Sequence, residues 1–182
     1  CILCAIEFKE TEKAQELIQN YEMQDLTKDK VQQQFCLMMK AEILKQQKAD
    51  SSAIRACYEA AVKCTIPDIE YMSYEKIVLS IQEINVVLEY VYSHKEMDFE
   101  KKCKVLLDFV ERTTYDTLSK VKIYPKILYY YLREAYANNN VPITKNAMIV
   151  YLQICDRAIE MLRDSGRAYY LLELLEIKIK LL

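Results

Sequence analysis

The chain has 182 residues, with 25 basic against 27 acidic side chains, one Gly and three Pro. So little glycine excludes folds that need it at turns or in a phosphate loop, as all-β and dinucleotide-binding proteins do. A net charge of −2 with both signs interspersed leaves no basic field for a nucleic-acid backbone, and Glu173, Glu176, Lys178 and Lys180 break even the Leu-rich end, which excludes a membrane span.

What remains is a helical composition. A helical stretch runs from Cys1 to Phe8 with neither an initiator Met nor a cap before it, so the chain reads as a fragment. Its partner runs from Thr11, an N-cap candidate, to about Tyr21. From Thr27 to about Gln47 the set Val31, Phe35, Met38, Ala41, Ile43 and Leu44 recurs at steps near 3.6, which predicts an amphipathic helix. The next helix starts at Asp50-Ser51 and ends near Cys64. The stretch 65–80, opened by Pro67 and carrying Tyr71, Ser73 and Tyr74, reads as a loop or short extra turn. Ser80 followed by Glu83 has capping-box spacing, in which each side chain closes the other residue's unpaired N–H. A helix therefore covers about Ile81 to His94, and another Asp98 to about Thr114. Asp116-Thr117 opens a helix to about Asn138 that either starts nearer Tyr124 or kinks at Pro125. Residues 138–142, Asn-Asn-Asn-Val-Pro, are a turn signal. The following helix, Thr144 to Asp164, stops at Ser165-Gly166 in the manner of a C′ glycine, and a last helix takes the remainder.

An internal repeat runs through these elements. Ala14-Ile18-Tyr21, Ala53-Cys57-Ala60, Cys103-Leu107-Val110 and Tyr151-Cys155-Ala158 share a four-then-three spacing suited to close helix packing, and begin 39 to 50 residues apart. That period belongs to helix-pair solenoids, whose units hide their apolar faces by stacking on their neighbours. The expectation is a single all-α domain over residues 1–182, an α-solenoid of antiparallel pairs with about nine helices.

Little in the chain points to chemistry. Cys1 and Cys4 have the spacing of a zinc half-site, but without a second pair they read as buried thiols and no metal is expected. Cys57, Cys103 and Cys155 sit at repeat positions, where Cys packs as a small hydrophobe. The seven cysteines, scattered and odd in number, fit a reducing cytoplasm. His94 ends a helix beside Lys95 and Glu96 and reads as a surface residue at the negative end of the helix dipole. Ser80 lacks a glycine elbow and a nearby His, so it is a cap and not a nucleophile. No enzyme and no cofactor are expected.

Three phrases suggest a family: Leu79-Ser80-Ile81-Gln82-Glu83-Ile84-Asn85, Lys122-Ile123-Tyr124-Pro125-Lys126-Ile127-Leu128-Tyr129, and Ala158-Ile159-Glu160 before a Gly-stopped helix. They resemble the C-terminal tetratricopeptide-like region of bacterial regulators that carry an N-terminal helix-turn-helix of the xenobiotic-response-element type. The resemblance covers the chain from about Ala14 onward, best over 65–90 and 118–136. It implies a right-handed tetratricopeptide-like solenoid that dimerises, holds a short signalling peptide or other effector in its concave groove, and couples it to DNA through a domain missing before Cys1. The sequence departs from the family where relatives often carry asparagines: the matching positions are Leu88-Glu89 and Tyr130.

Fifteen tyrosines are the one compositional excess, and Tyr supplies rigid apolar area with a hydroxyl. Successive helical residues lie about 100° apart, so Tyr129, Tyr130 and Tyr131 cannot share a face. If Tyr131 and Ala135 face the core, Tyr129, Arg133 and Tyr136 point to the inner face, joined by Asn85 and Tyr92 from the helix that starts at Ile81. This set offers aromatic walls, an amide and a guanidinium for a peptide. The terminal run from Ala168 is apolar nearly all round, so Tyr170, Leu171, Leu174, Leu175 and Leu182 are expected at a homodimer interface. The leading expectation is the sensor and dimerisation region of a bacterial transcriptional regulator. The alternative is a stand-alone helical scaffold for another protein, and an appendage of an enzyme is a third class.

Overall fold

A computed structural model describes residues 1–23, 29–70, 78–94, 98–113, 115–137 and 144–182 of the chain. Among these the fold is all-helical, with α1 (Ile2–Glu7), α2 (Thr11–Met23), α3 (Lys30–Gln46), α4 (Ser51–Thr65), α5 (Ile81–His94), α6 (Phe99–Arg112), α7 (Thr117–Ala137), α8 (Lys145–Asp164) and α9 (Leu171–Leu181). The helices fall into two compact units, 1–73 with 85–95, and 74–84 with 96–182.

In the first unit α1 packs on α2 and on α3, α2 on α3, and α3 on α4. The core of the first three helices gathers Ala5, Ile6, Ala14, Ile18, Cys36 and Ile43. In the second unit α6 packs on α7, α7 on both α8 and α9, and α8 on α9. Its core includes Cys103, Leu106, Val110, Val121, Ile127, Leu128, Cys155, Ala158, Leu162 and Leu174.

Helix ends show why these segments stop. Three helices close with a residue in left-handed backbone followed by a long bond back into the last turn: Lys9 with Glu10 N–H to the Ala5 carbonyl, Lys48 with Ala49 N–H to Leu44, and Gly166 with Arg167 N–H to Leu162. Only the third uses glycine, as its sequence predicts. The capping box is present: Ser80 N–H donates to Glu83 at 2.8 Å, and Glu83 N–H to Ser80 Oγ at 3.2 Å. Asp29 accepts from Val31 N–H and caps α3, which starts at Lys30; Thr27, where the sequence opens that helix, lies outside the described residues. Helix α7 continues through Pro125, starting at Thr117 with Asp116 accepting from Ser119 N–H. The turn expected over 138–142 lies outside the described residues, as do Tyr71, Ser73, Tyr74, Lys95, Glu96 and Thr114.

The repeat positions are buried or half-buried in α2, α6 and α8 but shift by one in α4. There Tyr58 and Ala61 are buried and Ile54 is half-buried, whereas Ala53 and Ala60 are exposed.

Candidate binding site

Helix α7 builds the candidate site in the second unit. A helix buries one stripe and leaves the rest to solvent, and here Tyr131 and Leu132 are buried while Tyr129 and Arg133 are half-buried and Tyr136 is exposed. Tyr131 is fixed in the core, its ring edge-on to Tyr151 at 5.8 Å and its hydroxyl donating to Glu100 at 3.2 Å.

Around the stripe the aromatic rings cluster. Tyr129 lies 5.7 Å from Tyr130, and Tyr170 stands 5.4 Å from Tyr129 and 6.5 Å, edge-on, from Tyr130. The Arg133 guanidinium lies over both rings, 5.3 Å from Tyr129 and 5.7 Å from Tyr130, and donates from Nη1 to the Tyr129 hydroxyl at 3.2 Å. Lys126 Nζ also lies over the Tyr130 ring, 5.6 Å from its centroid. Burial, then the carboxylates of Glu173 and Glu176, raise the Tyr129 pKa, so its hydroxyl keeps its proton at neutral pH. The arrangement is a partly exposed aromatic platform with a stacked cation whose Nη2 lies 3.8 Å from the Glu134 carboxylate; a ligand carboxylate would share Arg133 with Glu134 and set apolar groups against the rings.

The structure brings Tyr129 and Arg133 together as expected, with Tyr136 one turn on. It adds Tyr170, expected at a dimer interface, to the same cluster. Asn85 and Tyr92 are half-buried on the part of α5 that belongs to the first unit. Of the remaining interface residues, Leu174 is covered by its own chain and Leu171 half so. The outward row of α9 is Leu172, Leu175, Ile179 and Leu182, at steps of three, four and three. Spacing alone missed Tyr130 and Tyr170: Tyr130 is next in sequence to Tyr129, and Tyr170, in left-handed backbone at φ 57°, comes from the start of α9, 41 residues on from Tyr129.

The positions where the resembled family often carries asparagines have other work here. Glu89 is buried and ion-paired with Lys45 at 2.8 Å, Lys45 meets Glu42 at 3.1 Å, and Glu42 accepts from the Tyr58 hydroxyl at 2.6 Å. Burial works against the Lys45 charge, but Glu89 and Glu42 outweigh it and hold its pKa above the usual lysine value. Tyr130 is packed in the ring cluster.

Three readings of the sequence are corrected. Cys1 and Cys4 are exposed, with their sulfurs 3.1 Å apart. His94 ends α5 as read but is half-buried and not at the surface: its ring lies 4.3 Å from that of Tyr90, and Nδ1 sits 2.9 Å from the Tyr90 carbonyl. Cys57, expected in the core, is half-buried in a groove of about 450 Å³ within the first unit, beside Ile18, Ile43, Leu44, Gln15, Gln19 and the Glu22–Lys40 ion pair. Among the described residues no three His, Cys, Asp or Glu side chains come together as a metal site, and no helix is long and apolar enough to cross a membrane. No protein-family model, curated protein or solved structure matches the chain.

Proposed function

We propose that this chain is a tetratricopeptide-like helical-repeat domain that binds a short peptide or a partner's extended segment, as the sensor and dimerisation region of a bacterial transcriptional regulator. The observation that carries the binding role is the Arg133 guanidinium laid across Tyr129 and Tyr130 with Tyr170 alongside. A peptide end needs a cation for its carboxylate and apolar walls for its last side chains, and the platform supplies both. The repeat reading is supported in each unit by one packing order, in which a helix meets both the next and the next but one.

The regulator assignment rests on the three family-like phrases. In that reading DNA is reached only through a domain outside these residues, the setting is the cytoplasm, and the outward row of α9 meets its twin. The occupation of the asparagine positions by Glu89 and Tyr130 favours a second reading, a scaffold that grips a partner protein through rings and charge instead of an amide ladder.

The test is calorimetry with short apolar peptides ending in a free carboxylate and the same peptides amidated. Amidation and Arg133→Ala should each weaken binding about tenfold or more, the worth of a charge-assisted hydrogen bond. Equal binding of both peptide forms by both proteins would remove the platform from consideration.

A further inference from the structure

We propose that the groove of the first unit binds a free α-amino acid with an apolar side chain, at a site apart from the ring platform of α7. Its walls come from α2, α3 and α4, each of which has another helix of the chain before and after it. The hollow of about 450 Å³ falls in the size range of small-molecule pockets. Two features of its lining carry the proposal, a charge pair and an apolar floor.

Glu22 of α2 and Lys40 of α3 both line the groove and meet at 2.7 Å, with side chains 34% and 41% exposed. An ammonium has three donors and a carboxylate two acceptor oxygens, so the bond between them leaves each able to take a second partner. A ligand with a single charge meets one attraction and one repulsion here. A ligand with both charges can lie head to tail along the pair, its carboxylate on Lys40 and its ammonium on Glu22. The spacing selects the class. In an α-amino acid the ammonium nitrogen and the carboxyl carbon share one carbon and stand about 2.5 Å apart, which matches the pair, whereas the two ends of a peptide lie too far apart to engage both charges at once.

Ile18 and Ile43 are buried in the floor and Leu44 lies beside them, which gives the ligand's side chain an apolar surface to cover. Gln19 stands one turn before Glu22 on α2, and Gln15 one turn before that, so two amides that both donate and accept flank the charged head. Cys57 of α4 lines the same groove and supplies a reporter. Burial raises its pKa and the Lys40 ammonium works against that rise, which puts the charge within electrostatic reach of the Cys57 sulfur. An amino acid held on Lys40 therefore shields Cys57.

The experiment measures the rate at which iodoacetamide alkylates Cys57 in the reduced chain, resolved by peptide mapping, with Cys64, two turns further along α4, as the internal control. L-Leucine or L-phenylalanine at about 10 mM should slow Cys57 about tenfold and leave Cys64 unchanged, the effect of a dissociation constant of about 1 mM. Three analogues should each bind at least about tenfold more weakly: N-acetyl-leucine, leucinamide, and aminocaproate, whose charges stand at opposite ends of a carbon chain. Lys40→Met should abolish the protection by leucine, and Glu22→Gln should erase the difference between leucine and N-acetyl-leucine. Both changes fall on a half-exposed ion pair and should keep the far-ultraviolet helical signal. The proposal is overturned if neither amino acid slows Cys57, if any of the three analogues protects as well as leucine, if Cys64 is slowed equally, or if protection survives Lys40→Met.

Discussion

Lys9 and Lys48 sit in left-handed backbone at φ 59° and 54°, each ending a helix that a glycine would end without strain. A side chain there costs about 1–2 kcal/mol, partly offset because glycine loses more freedom on folding. Lys48→Gly is therefore expected to stabilise the chain by about 0.5–1 kcal/mol, read from the urea midpoint, and a lowered midpoint would contradict the strain. Gly166 is the one such end with glycine, and nothing stands within 4 Å of where its Cβ would be, so its requirement is one of backbone alone. This is also where the sequence was half legible. Gly166 announces its turn because glycine is rare here, but lysine in the same role looks like any solvated charge.

At the scale of elements, α3 and α4 form the most explicit pair. Gln34 is buried on α3 and donates to the Ala61 carbonyl at 3.1 Å and to Thr65 Oγ1 at 2.7 Å, so a polar side chain ties two apolar faces together. Periodicity passed over Gln34 because a buried amide is invisible until its partners are placed. The same limit explains α4, where Ala, Cys and Ala fit a packing stripe as well as the true Ile54, Tyr58 and Ala61. Tyr58→Ala should cost about 3–5 kcal/mol through the cavity it leaves, whereas Cys57→Ser should change stability by less than about 0.5 kcal/mol. Similar losses for both would return α4 to the unshifted register. Between α3 and α5, Glu89→Ala removes the buried one of two carboxylates on Lys45, which keeps Glu42 at 3.1 Å, and should cost about 1–3 kcal/mol. Lys45 has a raised folded pKa, so its contribution is complete below the ordinary lysine value near 10.5 and fades as pH climbs through the higher folded one. Lys45→Gln should flatten that alkaline loss of stability in urea titrations taken at successive pH values.

For the whole molecule, the helical class, the helix order and most boundaries were legible, because 3.6-residue periodicity, a capping box and one glycine act locally. The division into two units was not, since α5 runs unbroken through Ile84 and Asn85 and no glycine or proline marks the change. The candidate platform was legible in part: Tyr129 and Arg133 follow from their spacing on α7, but Tyr170 comes from a separate helix end and needed the fold to reach them. The α9 row has its own consequence at this scale. Leu172, Leu175, Ile179 and Leu182 repeat as the seam of a paired helix does, and Leu172 and Ile179 are 68% and 72% exposed. Replacing both with Asp should turn a dimer into a monomer in sedimentation velocity while the far-ultraviolet helical signal stays; a wild-type chain that sediments as a monomer at tens of micromolar would remove the interface.

The Gln34 tie has a kinetic side. The bonds that fasten α3 to α4 join residues 27 and 31 apart in sequence and need no other helix, with an N-cap at Asp29 and a closed turn at Lys48 already in place. Closing so short a loop costs little chain entropy, so if this hairpin forms early in the first unit Gln34→Ala should slow refolding, and if it forms late the same change should only speed unfolding.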